Sequence, residues 1–330
     1  MMNKEDFAQY VDVAMRGDGL GFLRPVVEKE LLHYEIFSAL DEEGLLKDLV
    51  FQGGTSLRLC YGSERFSEDL DFAGGKNFSA RSMAAVKGCI VGKIGKRFDL
   101  DITVREPRDA PFDGTVRVDK WMVTIQTSPD RPDVPRQKIK LEIANVPAYS
   151  RDILPLRINY SVLEGRSQPL VAVESRDEIL ADKLIALPAS ISRMIGQEME
   201  FTPSRIRHRD IWDIAWLSGQ GAQLDTQLVR KKISDYGLDG FPRFLDRAIA
   251  AIPVIAGGEG FRAQMARFLP QTQHDRVFGK AGYEKYFENT VSGLLSSLRK
   301  DLEFDKVPQG AAREEKAWSG VVTLLACFRD

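Results

Sequence analysis

The run Leu49-Val50-Phe51-Gln52-Gly53-Gly54-Thr55-Ser56-Leu57, followed by Arg65-Phe66-Ser67-Glu68-Asp69-Leu70-Asp71-Phe72, leaves this chain few ways to fold. Leu49-Val50-Phe51 predicts a short buried strand, and the paired glycines behind it punctuate the chain as a turn. Thr55 to Tyr61 predicts a short helix leaving that turn, with Thr55 or Ser56 as its cap. Asp69 to Ala73 predicts a second strand, closed by Gly74-Gly75. Side chains alternate along a strand, so Leu70 and Phe72 face the core while Asp69 and Asp71 share the opposite side. A glycine turn lets backbone N–H groups approach phosphate oxygens closely, and two carboxylates on one side can share hard divalent cations. Together they are the minimal kit for moving a nucleotidyl group with magnesium.

An Asp-x-Asp alone carries little weight in a chain of 330 residues, and this chain contains a control. Asp99-Leu100-Asp101 has the same local form but follows Lys93-Ile94-Gly95-Lys96-Arg97-Phe98, with no strand and glycine turn ahead of it. That pair reads as the solvated face of an edge strand, where charge discourages aggregation.

A hydrophobic content of 43% supports a sizeable core in one large domain or two smaller ones. No apolar run is long enough for a membrane span, and the polar start Met1-Met2-Asn3-Lys4-Glu5-Asp6 lacks the apolar centre of a signal peptide. Cys60, Cys89 and Cys327 are scattered and fit a reducing cytoplasm; with His33, His208 and His274 isolated, no zinc site is expected. A net charge of −2 gives no global attraction to nucleic acid, although a local basic face would suffice for an RNA substrate.

The first half mixes helix and strand patterns. Val26 to Leu40 predicts an amphipathic helix with Leu31, Leu32, Ile36 and Leu40 on one side, and Ser79 to Phe98 another helix. Leu100–Arg105, Val116–Thr127, Gln137–Ala144 and Leu170–Val173 predict strands, with a Pro-rich loop from Ser128 to Pro135. From Ser175 the pattern is helical through Ile179–Leu187, Ile206–Leu217, Leu224–Tyr236, Phe241–Ile252, Gly260–Phe268, Tyr283–Leu302 and Ala312–Phe328. The expected architecture is α+β: a mixed-sheet domain over 1–172 and an all-helical domain over 173–330.

Two-metal transfer calls for a further carboxylate. On Lys138-Ile139-Lys140-Leu141-Glu142-Ile143 the period of two puts Lys138, Lys140 and Glu142 on one face, which makes Glu142 either solvent-facing or a third ligand or base. Ser175-Arg176-Asp177-Glu178 is a capping box opening a helix that should end near Pro188. On that helix Lys183 lies near the apolar stripe, where it either snorkels outward or reaches a buried anion such as a triphosphate. Arg205-Ile206-Arg207-His208-Arg209-Asp210-Ile211-Trp212-Asp213 is the one dense basic cluster, behind the helix-start signal Thr202-Pro203-Ser204. It reads either as a salt-bridged helix surface, with Arg209 and Asp213 as an i, i+4 pair, or as a functional group in which Asp210 orients Lys183 or a base and arginines grip phosphates.

Four motifs in order resemble the AbiEii/AbiGii family of nucleotidyltransferase-like toxins of abortive-infection and type IV toxin–antitoxin systems. They are Gly53-Gly54-Thr55-Ser56-Leu57, Arg65-x-Ser67-x-Asp69-Leu70-Asp71-Phe72, Asp182-Lys183-Leu184-x-Ala186-Leu187 and Arg209-Asp210-x-x-Asp213-Ile214. The resemblance implies a nucleotidyltransferase-fold domain followed by a helical domain, with the active site in the cleft between them. It implies that Gly53, Gly54, Thr55, Ser56, Arg65, Ser67 and Lys183 serve the NTP, with Ser56 and the neighbouring backbone at the triphosphate. Asp69 and Asp71 would bind two Mg2+ ions, with Asp210 completing the polar constellation, and the strand reading adds Glu142 as the third ligand or base. The implied protein is a cytoplasmic enzyme that passes a nucleotide from an NTP to an acceptor such as the tRNA 3′ end, blocking translation or aborting phage infection. Its implied partner is an antitoxin, often a winged-helix repressor. The same residues also suit modification of a protein hydroxyl, or a nucleotide- or partner-binding module without catalysis.

Overall fold

The computed structural model describes residues 6–303 other than 18, 109–115, 132 and 197–205. The expected helix over 312–328, the Thr202-Pro203-Ser204 start signal, Arg205 and Cys327 lie outside the described residues, as does Pro132 of the Pro-rich loop. The fold is α+β, and the chain divides into two compact units. One holds the described residues up to Glu174 with a return segment Phe268–Thr272; the other holds the described residues of Ser175–Arg267 and those from Gln273 to Glu303.

In the first unit, helices α1 (Phe7–Ala14) and α2 (Arg24–Glu42) precede strand β1 (Val50–Gln52). Helix α3 (Gly53–Ser56) follows at once and widens into a π-helical turn over Leu57–Tyr61, before β2 (Leu70–Ala73). Then come α4 (Val86–Phe98), β3 (Asp101–Arg105), β4 (Val118–Gln126), β5 (Gln137–Ala144), β6 (Arg151–Pro155) and β7 (Leu170–Glu174). Among the described residues the strands form one seven-stranded sheet in the order β3-β4-β5-β2-β1-β7-β6. β2 runs antiparallel to β1 and parallel to β5, so the sheet is mixed. Its apolar face presents Phe51 and Phe72 to Phe37 of α2, with ring centroids 4.8 and 5.8 Å away. Ile139, Leu141 and Ile143 of β5 are fully buried alongside them.

Local expectations fail in informative ways. The short helix begins at Gly53 rather than Thr55, with Gln52 at its N-cap, and neither Thr55 nor Ser56 caps it. Gly53 has φ +80°, a backbone setting that L side chains rarely adopt, which lets the chain turn from strand to helix with no loop between. The segment from Ser79 divides into a 3-10 turn (Ala80–Met83) and α4. Asp99 is not on the edge strand: it ends α4 in the left-handed conformation at φ 58°. Asp101 does lie on the edge strand β3, exposed, with Arg136 3.4 Å away. α1 and β6 are not among the expected elements, although Phe7, Tyr10, Val11 and Ala14 of α1 recur at helical spacing behind the N-cap Asp6.

The expected amphipathic face of α2 is only part of its surface, because Glu28, Glu30, His33 and Glu35 are buried too. Each ties a distant segment to the helix. Glu28 accepts from Gln137 Nε2 at 2.8 Å, and Glu30 from Arg58 Nε at 2.9 Å and Asn159 Nδ2 at 2.9 Å. Glu35 meets Arg166 at 2.9 Å.

The second unit is helical: α5 (Arg176–Gly196), α6 (His208–Gly219), α7 (Thr226–Asp235), α8 (Phe241–Ala256), α9 (Glu259–Ala266), α10 (Gln271–Phe278, whose first two residues belong to the first unit) and α11 (Tyr283–Glu303). Ser175 Oγ accepts from Glu178 N at 3.2 Å, so the capping signal marks a true helix start. α5 does not stop near Pro188: the proline lies inside it and the helix runs on to Gly196. α5 packs on α6, α7 and α8, and α11 on α8 and α6. No described helix is long and apolar enough to cross a membrane.

Candidate active site

Strand register assembles a polar row on the sheet face opposite Phe51 and Phe72. Gln52 on β1 pairs with Asp71 on β2, Asp71 pairs with Glu142 on β5, and Glu142 pairs with Lys120 on β4. Directly paired residues share a face of the sheet, so these four side chains stand side by side across four strands. One step along, Asp69 lies beside Lys140, whose backbone N–H donates to Asp69 Oδ1 at 3.2 Å. All three acids are buried, Asp71 completely.

The glycine turn reaches this row directly. A Cβ at Gly53 would stand 2.9 Å from Asp71 Oδ2, so the carboxylate occupies space that only glycine leaves open. Thr55 Oγ1 donates to the carbonyl of Asp69, tying the helix after the turn to the strand bearing the acids. Ser56 Oγ donates to Gly53 O at 2.8 Å. Turn and carboxylates therefore form one unit. The residues leading into β2 are also fixed: the Arg58 guanidinium lies 4.1 Å over the Phe66 ring, and Phe66 N donates to Phe268 O at 2.8 Å. His33 Nε2 meets the Glu68 carbonyl at 3.0 Å, and Lys29 pairs with the Glu68 carboxylate. Arg65 is buried and donates from Nη1 to Phe66 O at 2.8 Å. Ser67 is buried, and its hydroxyl has no hydrogen-bond partner among the described residues.

Charge in the row is locally compensated. Lys140 Nζ pairs with Asp69 Oδ2, and Lys120 Nζ with Glu142 Oε1. Burial pushes the Glu142 carboxyl above its ordinary range, opposed by the nearby Lys120 ammonium. Among the described residues no set of three or more His, Cys, Asp or Glu side chains forms a ready metal-ligand group. The donor chemistry of Asp69, Asp71 and Glu142 nevertheless suits a hard cation. All are carboxylates, and Gly53 keeps the space around Asp71 clear.

Two further candidates meet in the helical unit. Lys183 Nζ lies 2.7 Å from Asp210 Oδ1 and 3.0 Å from Asp213 Oδ2, all three side chains buried. Arg207 joins through Asp210 Oδ2. The lysine reaches an anion instead of snorkelling, and that anion is the carboxylate pair of α6. Nearby on α5, Glu178 and Asp182 hold Lys232 of α7 in a second buried cluster, at 2.8 and 2.9 Å. The expected salt-bridged surface is thus an interior network, in which Asp213 is a partner of Lys183.

Sequence reasoning assigned no role to Gln52, Lys120 or Lys140. Lys140 was visible on the same strand face as Glu142. Lys120 becomes relevant only through the β4–β5 register, which no local pattern encodes. Neither amide atom of the buried Gln52 has a hydrogen-bond partner among the described residues.

Comparisons with known proteins bear on the fold and the family. The chain is similar in structure to MenT4, a nucleotidyltransferase toxin from Mycobacterium tuberculosis H37Rv, with a TM-score of 0.58 and 18% identity over 98% of this chain and 99% of that one. It is also similar to JHP933 from Helicobacter pylori, with a TM-score of 0.43 and 19% identity over 84% of this chain and 94% of that one. No curated protein matches it significantly in sequence. Residues 35–306 match the family model of the nucleotidyl transferase AbiEii toxin of type IV toxin–antitoxin systems, and the chain belongs to that family.

Proposed function

We propose that this protein transfers a nucleotidyl group from an NTP to an acceptor hydroxyl, with the 3′ end of tRNA as acceptor, and that Mg2+ is required. The observation that carries the reading is the contact of the Gly53 turn with Asp71, one strand position from Glu142 and beside Asp69. Asp69, Asp71 and Glu142 would hold Mg2+, which when bound shields triphosphate charge and acidifies the acceptor hydroxyl. The backbone of Gly53 and Gly54, with Thr55, Ser56, Arg65 and Ser67 close by, would hold and orient the phosphates. As the acceptor oxygen bonds to the α-phosphorus its proton passes to Glu142 or, where Glu142 serves as ligand, to solvent. The bond from that phosphorus to the bridging oxygen breaks, and pyrophosphate leaves with the electron pair. We assign the Lys183–Asp210–Asp213 cluster to nucleotide use, Lys183 as the phosphate cation and Asp210 as the group that positions it.

A type IV antitoxin, a winged-helix repressor, is the proposed partner, and blocked translation in the cytoplasm the proposed outcome. The test incubates the protein with each labelled NTP, total tRNA and Mg2+. Label appears at the tRNA 3′ end with the unaltered protein, and disappears with EDTA and with Asp69→Ala or Asp71→Ala. Full labelling by both aspartate variants overturns the reading.

A further inference from the structure

The polar row carries two lysines that no motif required, and their geometry differs from that of the buried Lys183. Asp69 is 5% exposed as a side chain, yet its partner Lys140 is 29% exposed. The ammonium approaches from the solvent side and sits on a flexible four-carbon stem, so it can leave its carboxylate without disturbing the core. The Lys140 backbone is fixed independently, by the β5 ladder and by its N–H to Asp69 Oδ1 at 3.2 Å. A carboxylate oxygen in contact with an ammonium cannot also hold a divalent cation at bonding distance, because the two positive charges repel.

We propose that Lys140 is an exchangeable counter-ion of this site. It neutralises Asp69 in the nucleotide-free protein and leaves when a divalent cation takes that carboxylate. It then moves onto the phosphates of the incoming nucleoside triphosphate. Lysine suits both positions, being a point charge with three rotatable donors that serves carboxylate and phosphate alike. Lys140 is thereby a nucleotide-binding residue that also lowers affinity for the bare cation, so that cation and nucleotide bind as a pair. The inference rests on the metal and nucleotide reading above.

The experiment measures Mn2+ binding to the full chain by electron paramagnetic resonance of the free ion. It then measures binding of α,β-methylene nucleoside triphosphates at saturating Mn2+ by calorimetry. Lys140→Met should bind Mn2+ about tenfold more tightly than the unaltered protein and the triphosphate analogue about tenfold more weakly, the size of one charge-assisted contact. Lys138→Met, two residues along the same strand face, should change neither. A merely structural lysine would not shift the two affinities in opposite directions. In the unaltered protein, acetylation footprinting read by mass spectrometry should show Lys140 labelling rise with Mn2+ and fall when the analogue is added, with Lys138 as reference. That measurement decides the matter even if Lys140→Met does not fold. Unchanged Mn2+ affinity in a folded Lys140→Met, or flat Lys140 labelling in a protein that binds both ligands, overturns the exchange alone. Absence of Mn2+ binding to the unaltered protein overturns the metal reading itself.

Discussion

Gly53 and Asp71 are in contact: a Cβ on Gly53 would lie 2.9 Å from Asp71 Oδ2, and Gly53 holds φ +80°. The turn that opens α3 and the carboxylate in the middle of β2 therefore depend on each other. Gly53→Ala should lower stability by about 1–2 kcal/mol through backbone strain and also displace the carboxylate, abolishing transfer. Gly75→Ala is the control, because Gly75 has φ +78° and a Cβ there would meet no atom within 4 Å. It should show the strain in thermal unfolding and keep its activity. Equal activity in both variants would separate the turn from the chemistry.

Asp71 stands beside Glu142, so two buried carboxylates share one place in the sheet. Asp71→Asn keeps the shape and removes one of two repelling charges. Transfer should fall by at least about 100-fold while the unfolding midpoint stays within a few degrees. A large drop in midpoint would assign Asp71 to folding rather than to the reaction.

Lys183 bridges Asp210 and Asp213 in the interior of the helical unit, and Arg207 meets Asp210 through Oδ2. Removing a single partner from a buried ion cluster leaves uncompensated charge, at a cost of about 3–5 kcal/mol. Lys183→Met should therefore lose stability on that scale in urea unfolding, besides losing nucleotide use. Adding Asp210→Asn and Asp213→Asn should restore at least half of the stability and none of the transfer. Stability and activity returning together would deny Lys183 any part in nucleotide use.

Burial lowers the His33 imidazole to about 4, and His208 likewise to about 4. Their folded values lie below the unfolded value of about 6.5, so the neutral rings favour the folded state and that contribution is complete above pH 6.5. It is lost as pH falls from about 6.5 toward 4, by an amount on the order of 3 kcal/mol for His33. Urea unfolding at pH 7 and pH 4.5 should show the loss. His33→Gln, which retains a donor for the Glu68 carbonyl, should remove part of the slope and leave the share due to His208.

Local chemistry determined much of this protein. The strand–glycine turn–helix–strand unit at 50–73, the strand at 137–144 and the change to helices after residue 174 all follow from periodicity, glycine placement and a capping serine, signals that act over a few residues. So did the shared face of Asp69 and Asp71, which any strand imposes. Other features depended on residues far apart in the chain. Glu142 stands beside Asp71 only because β5 inserts parallel to β2, and Lys120 belongs to the row only through the β4–β5 register. Lys183 meets Asp210 and Asp213 because α5 packs on α6. Buried charges on α2 and α5 defeat a hydrophobic-periodicity reading, since a paired ion can occupy an interior position that pattern alone would give to leucine. Sequence specified which side chains were available at each local turn and strand, whereas long-range pairing chose their neighbours and so decided which charges are compensated.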